Sequence, residues 1–236
     1  MVSSRTIKTE VLTLLRGQNL DSVTQALDHY PPKDVINVLF SAICREDPHI
    51  RWFAVSCMGR TVSRLADLEM EEARIVMRRF LWSLNDESGG IGWGAPESMA
   101  EVMCQHPGLA EEYVHMLISY MREDGEELYQ DGNYLEHPLL QQGVLWGIAR
   151  MSGCRPRLLI ERGAGADIPA YLHAEDDTTR GLAVLAAGNL YLTATEGVLR
   201  TLVNDSASVT LYWEGTFQQT TVGTLAQAAL ERMADE

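Results

Sequence analysis

Apolar residues recur every three or four positions along most of this chain, the spacing of a single buried helical face. Ile7, Val11, Leu14 and Leu15 share one side of the stretch from Thr6 to Arg16, which Gly17 stops. A second short helix is expected from about Asp21, a cap candidate, until Pro31 and Pro32 break it. Lys33 to Cys44 carries Val35, Ile36, Val38, Leu39, Phe40 and Ile43 in helical phase. Asp47 and Pro48 then supply a cap and a first-turn proline for a helix to about Leu65. From Met70 to Leu84 the stripe is Ala73, Val76, Met77, Phe80, Leu81 and Leu84. Further helices are expected over Pro96 to Cys104, into Leu145–Ala149, and from Val222 to Met233. The period changes near the end, where Ser208–Trp213 and Thr216–Val222 alternate around Glu214-Gly215. That pattern predicts a β-hairpin packed as a cap on the last helices.

The helical elements repeat. Asp47, Arg51, Ala54, Val55 and Gly59 align with Asp176, Arg180, Ala183, Val184 and Gly188, a common offset of 129 residues or three periods of 43. Looser copies follow Asn85-Asp86-Glu87 and Glu136-His137-Pro138. The physical reading is a cap residue that starts an inner helix, an arginine one turn on that reaches a neighbour's first turn, and small residues that let helices approach closely. One helix pair cannot bury its own stripe, so pairs must stack. These residues resemble the HEAT-like repeat family of armadillo-type α-solenoids, whose second helix reads D-x-x-[VI]-R-x-x-A-x-x-A-[LM]-G. The likeness covers roughly residues 33 to 235 and is similar to the branch labelled phycobilisome-lyase-like. It implies an all-α, right-handed α–α superhelix of about five helix pairs with the hairpin near the C-terminus. Residues 1–32 would be capping helices, 33–205 the repeats, and 206–236 the hairpin and final helix of a single domain.

Composition narrows the partners. Hydrophobic residues make up 46% and charged ones 22%, ordinary for a globular chain. A net charge of −14 opposes phosphate backbones and anionic membranes, so neither nucleic acid nor membrane is expected as a partner. No apolar signal core or membrane-length run is visible, and a cytoplasmic location is expected. The four cysteines, Cys44, Cys57, Cys104 and Cys154, are widely spaced and read as reduced thiols.

Candidate chemistry concentrates where the repeats are interrupted. The insert from Asn85 to Glu97 holds Asp86, Glu87, Trp93 and Glu97 among glycines, yet lacks both G-x-G-x-x-G spacing and a Walker lysine. The acidic connector ending in Tyr134, Glu136 and His137 lies one repeat later, with Trp146 and Arg150 on the helix beyond it. Equivalent loops of a solenoid emerge on one edge, so these nine residues are expected to gather on a rim as a binding face. Asp47, Arg51, Ala54, Gly59, Asp176, Arg180, Ala183 and Gly188 have packing roles instead. Trp52, Trp82 and Trp146 sit at apolar helical positions and read as core, whereas Trp93 and Trp213 read as surface. No catalytic residue, metal set or cofactor is predicted, because the six histidines are scattered and no serine or cysteine has a visible base. The expected function is a non-enzymatic scaffold for a protein partner. A small-ligand or metal-binding protein using the 85–97 and 131–137 loops is the alternative. The resemblance adds a tetrapyrrole-lyase-like or chaperone role, for which no cysteine or histidine is specifically placed. A DNA-glycosylase role is countered by the lack of a basic stripe.

Overall fold

The computed structural model describes residues 4–85, 92–123 and 132–234. The chain gathers into two compact units, 1–113 and 114–236. The described residues form thirteen α-helices and one antiparallel hairpin.

The first unit opens with α1 (Ser4–Leu14), α2 (Leu20–Leu27), α3 (Pro32–Ile43), α4 (Pro48–Leu68), α5 (Met70–Leu84) and α6 (Ala95–Gln105). The boundary between the units falls within α7 (Pro107–Ser119). Helix starts follow local chemistry. Asn19, rather than Asp21, caps α2 by accepting from the Ser22 N–H at 2.8 Å, and Asp21 falls inside the first turn. Asp47 caps α4 through the His49 and Ile50 amides, and Pro48 occupies the position where no amide hydrogen is needed. Alanine at Asp47 orphans both amides and is expected to cost about 1 kcal/mol. Urea denaturation checks this, and asparagine, which can still cap, should recover most of the loss.

Helix α4 is the centre of this unit. Ala54, Met58 and Val62 are buried along it, and at Gly59 an added Cβ would lie 2.9 Å from the Glu101 backbone of α6. Helix α5 buries Ala73, Val76, Met77, Phe80 and Leu84. Trp82 is the exception to the core reading: it is 75% exposed, with Ile75 on the same outward side, and Trp52 is only half-buried. The arrangement of α5 explains the difference. Ile75 and Trp82 are two turns apart on one side, half a turn from the buried stripe.

The second unit contains α8 (Pro138–Cys154), α9 (Pro156–Glu161), the short α10 (Ile168–Tyr171), α11 (Asp177–Asn189), α12 (Glu196–Leu202) and α13 (Val222–Ala234). A 3-10 turn occupies Ala164–Ala166. Asp176 caps α11 through the Thr179 amide at 2.7 Å, the counterpart of Asp47 on α4. Arg180 then reaches Asp205 at 2.9 Å and the Ala174 carbonyl at 2.6 Å. Ala183 is fully buried, and Gly188 abuts Ala229 of α13.

Strands β1 (Ser208–Trp213) and β2 (Thr216–Thr221) pair antiparallel, with Trp213 opposite Thr216. Glu214 and Gly215 both take positive φ, 47° and 84°, as a two-residue turn of the right twist requires. Val209, Leu211 and Tyr212 are buried, and Trp146 of α8 donates its indole N–H to the Tyr212 carbonyl at 3.0 Å. The hairpin therefore seats on α8 and also meets Gly181 of α11 through Val209. Cys44 and Cys57 are free thiols, with burial pushing both upward in pKa. Cys104 and Cys154 are disulfide-bonded, which corrects the expectation of four reduced thiols.

Candidate functional site

A cleft of about 780 Å³ opens in the second unit. One wall comes from the stretch that leads into α8. The Asn133 amide donates to the Ser119 carbonyl at 2.9 Å, and Leu135 is buried, so its neighbours Tyr134 and Glu136 are turned outward and line the cleft. His137, expected on the binding rim, accepts from the Leu139 amide at 3.3 Å and caps α8. The opposite wall comes from α10 and the turn into α11, with Asp167, Tyr171, Glu175 and Asp176.

Electrostatically the cleft is negative. Glu123, Glu136, Asp167, Glu175 and Asp176 line it against one arginine, Arg122, whose Nε sits 3.0 Å from Asp167 Oδ2. Burial pushes the Tyr171 phenol up in pKa, and Tyr134, Asp167 and Glu123 act in the same direction. Its hydroxyl donates to the Met121 carbonyl at 2.6 Å and is held protonated there. Asp176 is occupied on both oxygens, by the Thr179 amide and by the Gln142 amide group at 3.0 Å.

Gln141 forms the floor. It is 5% exposed, and its Nε2 donates to the Tyr120 carbonyl at 3.0 Å. Its Oε1 accepts no hydrogen bond among the described residues.

The nine expected rim residues divide between the units. Asp86 and Glu87 lie outside the described residues. In the first unit Trp93 is half-buried, with its carbonyl 3.9 Å from the Cys44 thiol, and Gly94 follows at φ 73° to open α6. Glu97 in the first turn of α6 is 8% exposed. Burial pushes its carboxyl up in pKa, offset in part by its own backbone and by Arg51, and its Oε2 has no hydrogen-bond partner among the described residues. In the second unit Tyr134 and Glu136 reach the cleft, while Trp146 and Arg150 take other partners. Trp146 meets Trp213 edge-on at 6.1 Å, and the Arg150 guanidinium lies 5.6 Å from the centre of the same ring. Sequence reasoning missed Gln141, Asp167 and Tyr171. Only Gln141 left a signal, a polar residue one turn from Val144 and Leu145 on the buried side of α8. Among the described residues no group of three or more His, Cys, Asp or Glu side chains is placed to hold a metal ion. None of their helices is long and apolar enough to cross a membrane.

No protein-family model matches the chain, and no curated protein matches it in sequence. Solved structures do. A designed armadillo repeat protein shares 16% identity and a TM-score of 0.54 over 98% of this chain and 92% of that one. A second designed armadillo repeat protein, solved in complex with the peptide (KR)4, shares 17% identity and a TM-score of 0.56 over 96% and 91%. The fold is armadillo/HEAT-like. An engineered protein at 12% identity and a TM-score of 0.58, covering 100% of this chain and 95% of its own, is similar throughout. At these identities the likeness establishes the repeat fold, and Asp47 and Asp176, Gly59 and Gly188 are its recurring cap and close-contact positions in this chain.

Proposed function

We propose that this armadillo/HEAT-like chain is a non-enzymatic interaction scaffold that docks a protein partner in the cleft of its second unit. The observation that carries the reading is the cleft itself. It sits beside the exposed ring of Tyr134, on a backbone stretch fixed by Leu135 and by hydrogen bonds to the end of α7. Tyrosine suits the centre of a binding surface because it offers a large, stiff contact area with a polar tip. Repeat folds supply extended surfaces of this kind, and one of the similar designed proteins was solved with a peptide. The cleft volume also suits a small organic molecule, which is the second reading.

A photo-crosslinking phenylalanine derivative at Tyr134, in the full chain and its native cell, tests the docking reading. A discrete protein adduct is expected from position 134 and not from Gln219, an exposed site on β2. No adduct from 134, or the same adducts from both sites, would overturn it. A retained low-mass ligand in native mass spectrometry, without a protein adduct, would favour the second reading.

A further inference from the structure

We infer that the docked segment presents an arginine or lysine side chain to the cleft, with Gln141 Oε1 as its buried acceptor and Glu136, Glu175 and Asp176 as its surrounding carboxylates. This rests on the docking reading above and adds the chemistry of the occupant.

Two independent observations lead to it. The first is charge. Five carboxylates line the cleft, and the one arginine among them is already held by Asp167, so the space beyond that pair has a net negative field. An acidic or phosphorylated ligand would be repelled there, and a cation would gain from several carboxylates at once.

The second is the orphaned acceptor. The Tyr120 carbonyl can only accept, so the Gln141 amide cannot be turned over without losing that bond: nitrogen must face Tyr120 and oxygen must face elsewhere. That oxygen is buried, belongs to a residue that lines the cleft, and has no donor among the described residues. Buried acceptors are almost always satisfied, no described residue satisfies this one, and an N–H or O–H entering the cleft would. The hydroxyl of Tyr171 is already engaged with Met121 and does not supply it. A neutral amide would satisfy the acceptor and leave the field unanswered. An ammonium or guanidinium answers both. Guanidinium fits better, because its donors fan out in a plane and can reach Gln141 and a carboxylate together.

Fluorescence anisotropy on the full chain tests this with three labelled peptides of equal length, bearing arginines, citrullines or glutamates. Citrulline keeps the shape of arginine and removes its charge. The arginine peptide is expected to bind, to weaken as salt rises, and to exceed the citrulline peptide by about tenfold. Glu136→Gln should weaken it about two- to fivefold. Glu231→Gln, an equal charge change on α13 outside this cleft, should leave it unchanged. Gln141→Met should also weaken it, with circular dichroism confirming the fold; if that variant unfolds, the two glutamate variants decide.

Equal binding of arginine and citrulline peptides would overturn the inference. So would equal effects of Glu136→Gln and Glu231→Gln, which would reduce the effect to net charge. Spermidine competing as tightly as the peptide would assign the site to a free amine and overturn the protein-borne occupant. A protein adduct at Tyr134 without arginine-peptide binding would end this inference and leave the docking reading standing.

Discussion

Leucine at Gly188 is expected to destabilise the second unit by more than about 3 kcal/mol, and even alanine there should cost about 1–2 kcal/mol. The alanine result is the more telling one. Within a helix, replacing glycine by alanine ordinarily gains about 1 kcal/mol, because alanine has less backbone freedom to lose. At Gly188 an added Cβ would lie 2.7 Å from the Ala229 Cβ and 2.9 Å from its Cα. The second contact is with the backbone of α13, so no rotamer change can relieve it and the two helices must separate. Overpacking of this kind costs about 1–3 kcal/mol, which outweighs the propensity gain. Gly153 on α8 is the control, since the nearest atom to its added Cβ is Asn189 Nδ2 at 3.9 Å. Gly153→Ala should therefore raise the urea midpoint while Gly188→Ala lowers it, with the denaturant slope unchanged in both. A rise for Gly188→Ala would mean that α11 and α13 do not approach as closely as described.

The same glycines show why part of this architecture was legible in the chain. Gly59 and Gly188 share a sequence register, and in each unit that position is where an inner helix meets the next, Glu101 in one and Ala229 in the other. Asp47 and Asp176 were legible for a similar reason: a cap is a bond to an amide two or three residues away. The hairpin was legible because alternation and a Glu-Gly turn are both local signals.

What failed to show depended on phase or on distant packing. Trp82 is as hydrophobic as a core residue, and only its position half a turn from Ala73, Met77 and Phe80 places it outside. Glu97 has the sequence signature of an exposed first-turn glutamate, and its burial comes from the packing of α4 on α6, a contact that no local pattern encodes. In the cleft, Tyr134 and Glu136 announced themselves as a polar connector. Asp167 and Tyr171 join them because α10 folds back against the chain fifty residues earlier, bringing the Tyr171 hydroxyl to the Met121 carbonyl.

Glu97 gives the second large effect, and its sign depends on pH. Glu97→Gln is expected to stabilise the protein at pH 7 by roughly 1 kcal/mol or more, because glutamine fills the same site without the charge that burial disfavours. The wild-type carboxyl has its pKa raised above 4.5 by burial. In the unfolded chain it ionises near 4.5, whereas in the folded chain it keeps its proton to higher pH. The folded state therefore binds more protons in that window, and stability falls as pH rises through it. Below about pH 4.5 both states are protonated and the penalty disappears. Glutamine keeps the shape and carries no charge at any pH, so the advantage of Glu97→Gln should be near zero at pH 4 and grow toward neutrality. Arg51 supplies the opposing pull. If it formed a close ion pair with Glu97, the carboxyl would be held low and Glu97→Gln would destabilise at pH 7. Unfolding curves of the two proteins from pH 4 to pH 8 separate these cases by the sign of one difference. The placement of Ser98 beside Glu97, its hydroxyl also without a hydrogen-bond partner among the described residues, favours the uncompensated case.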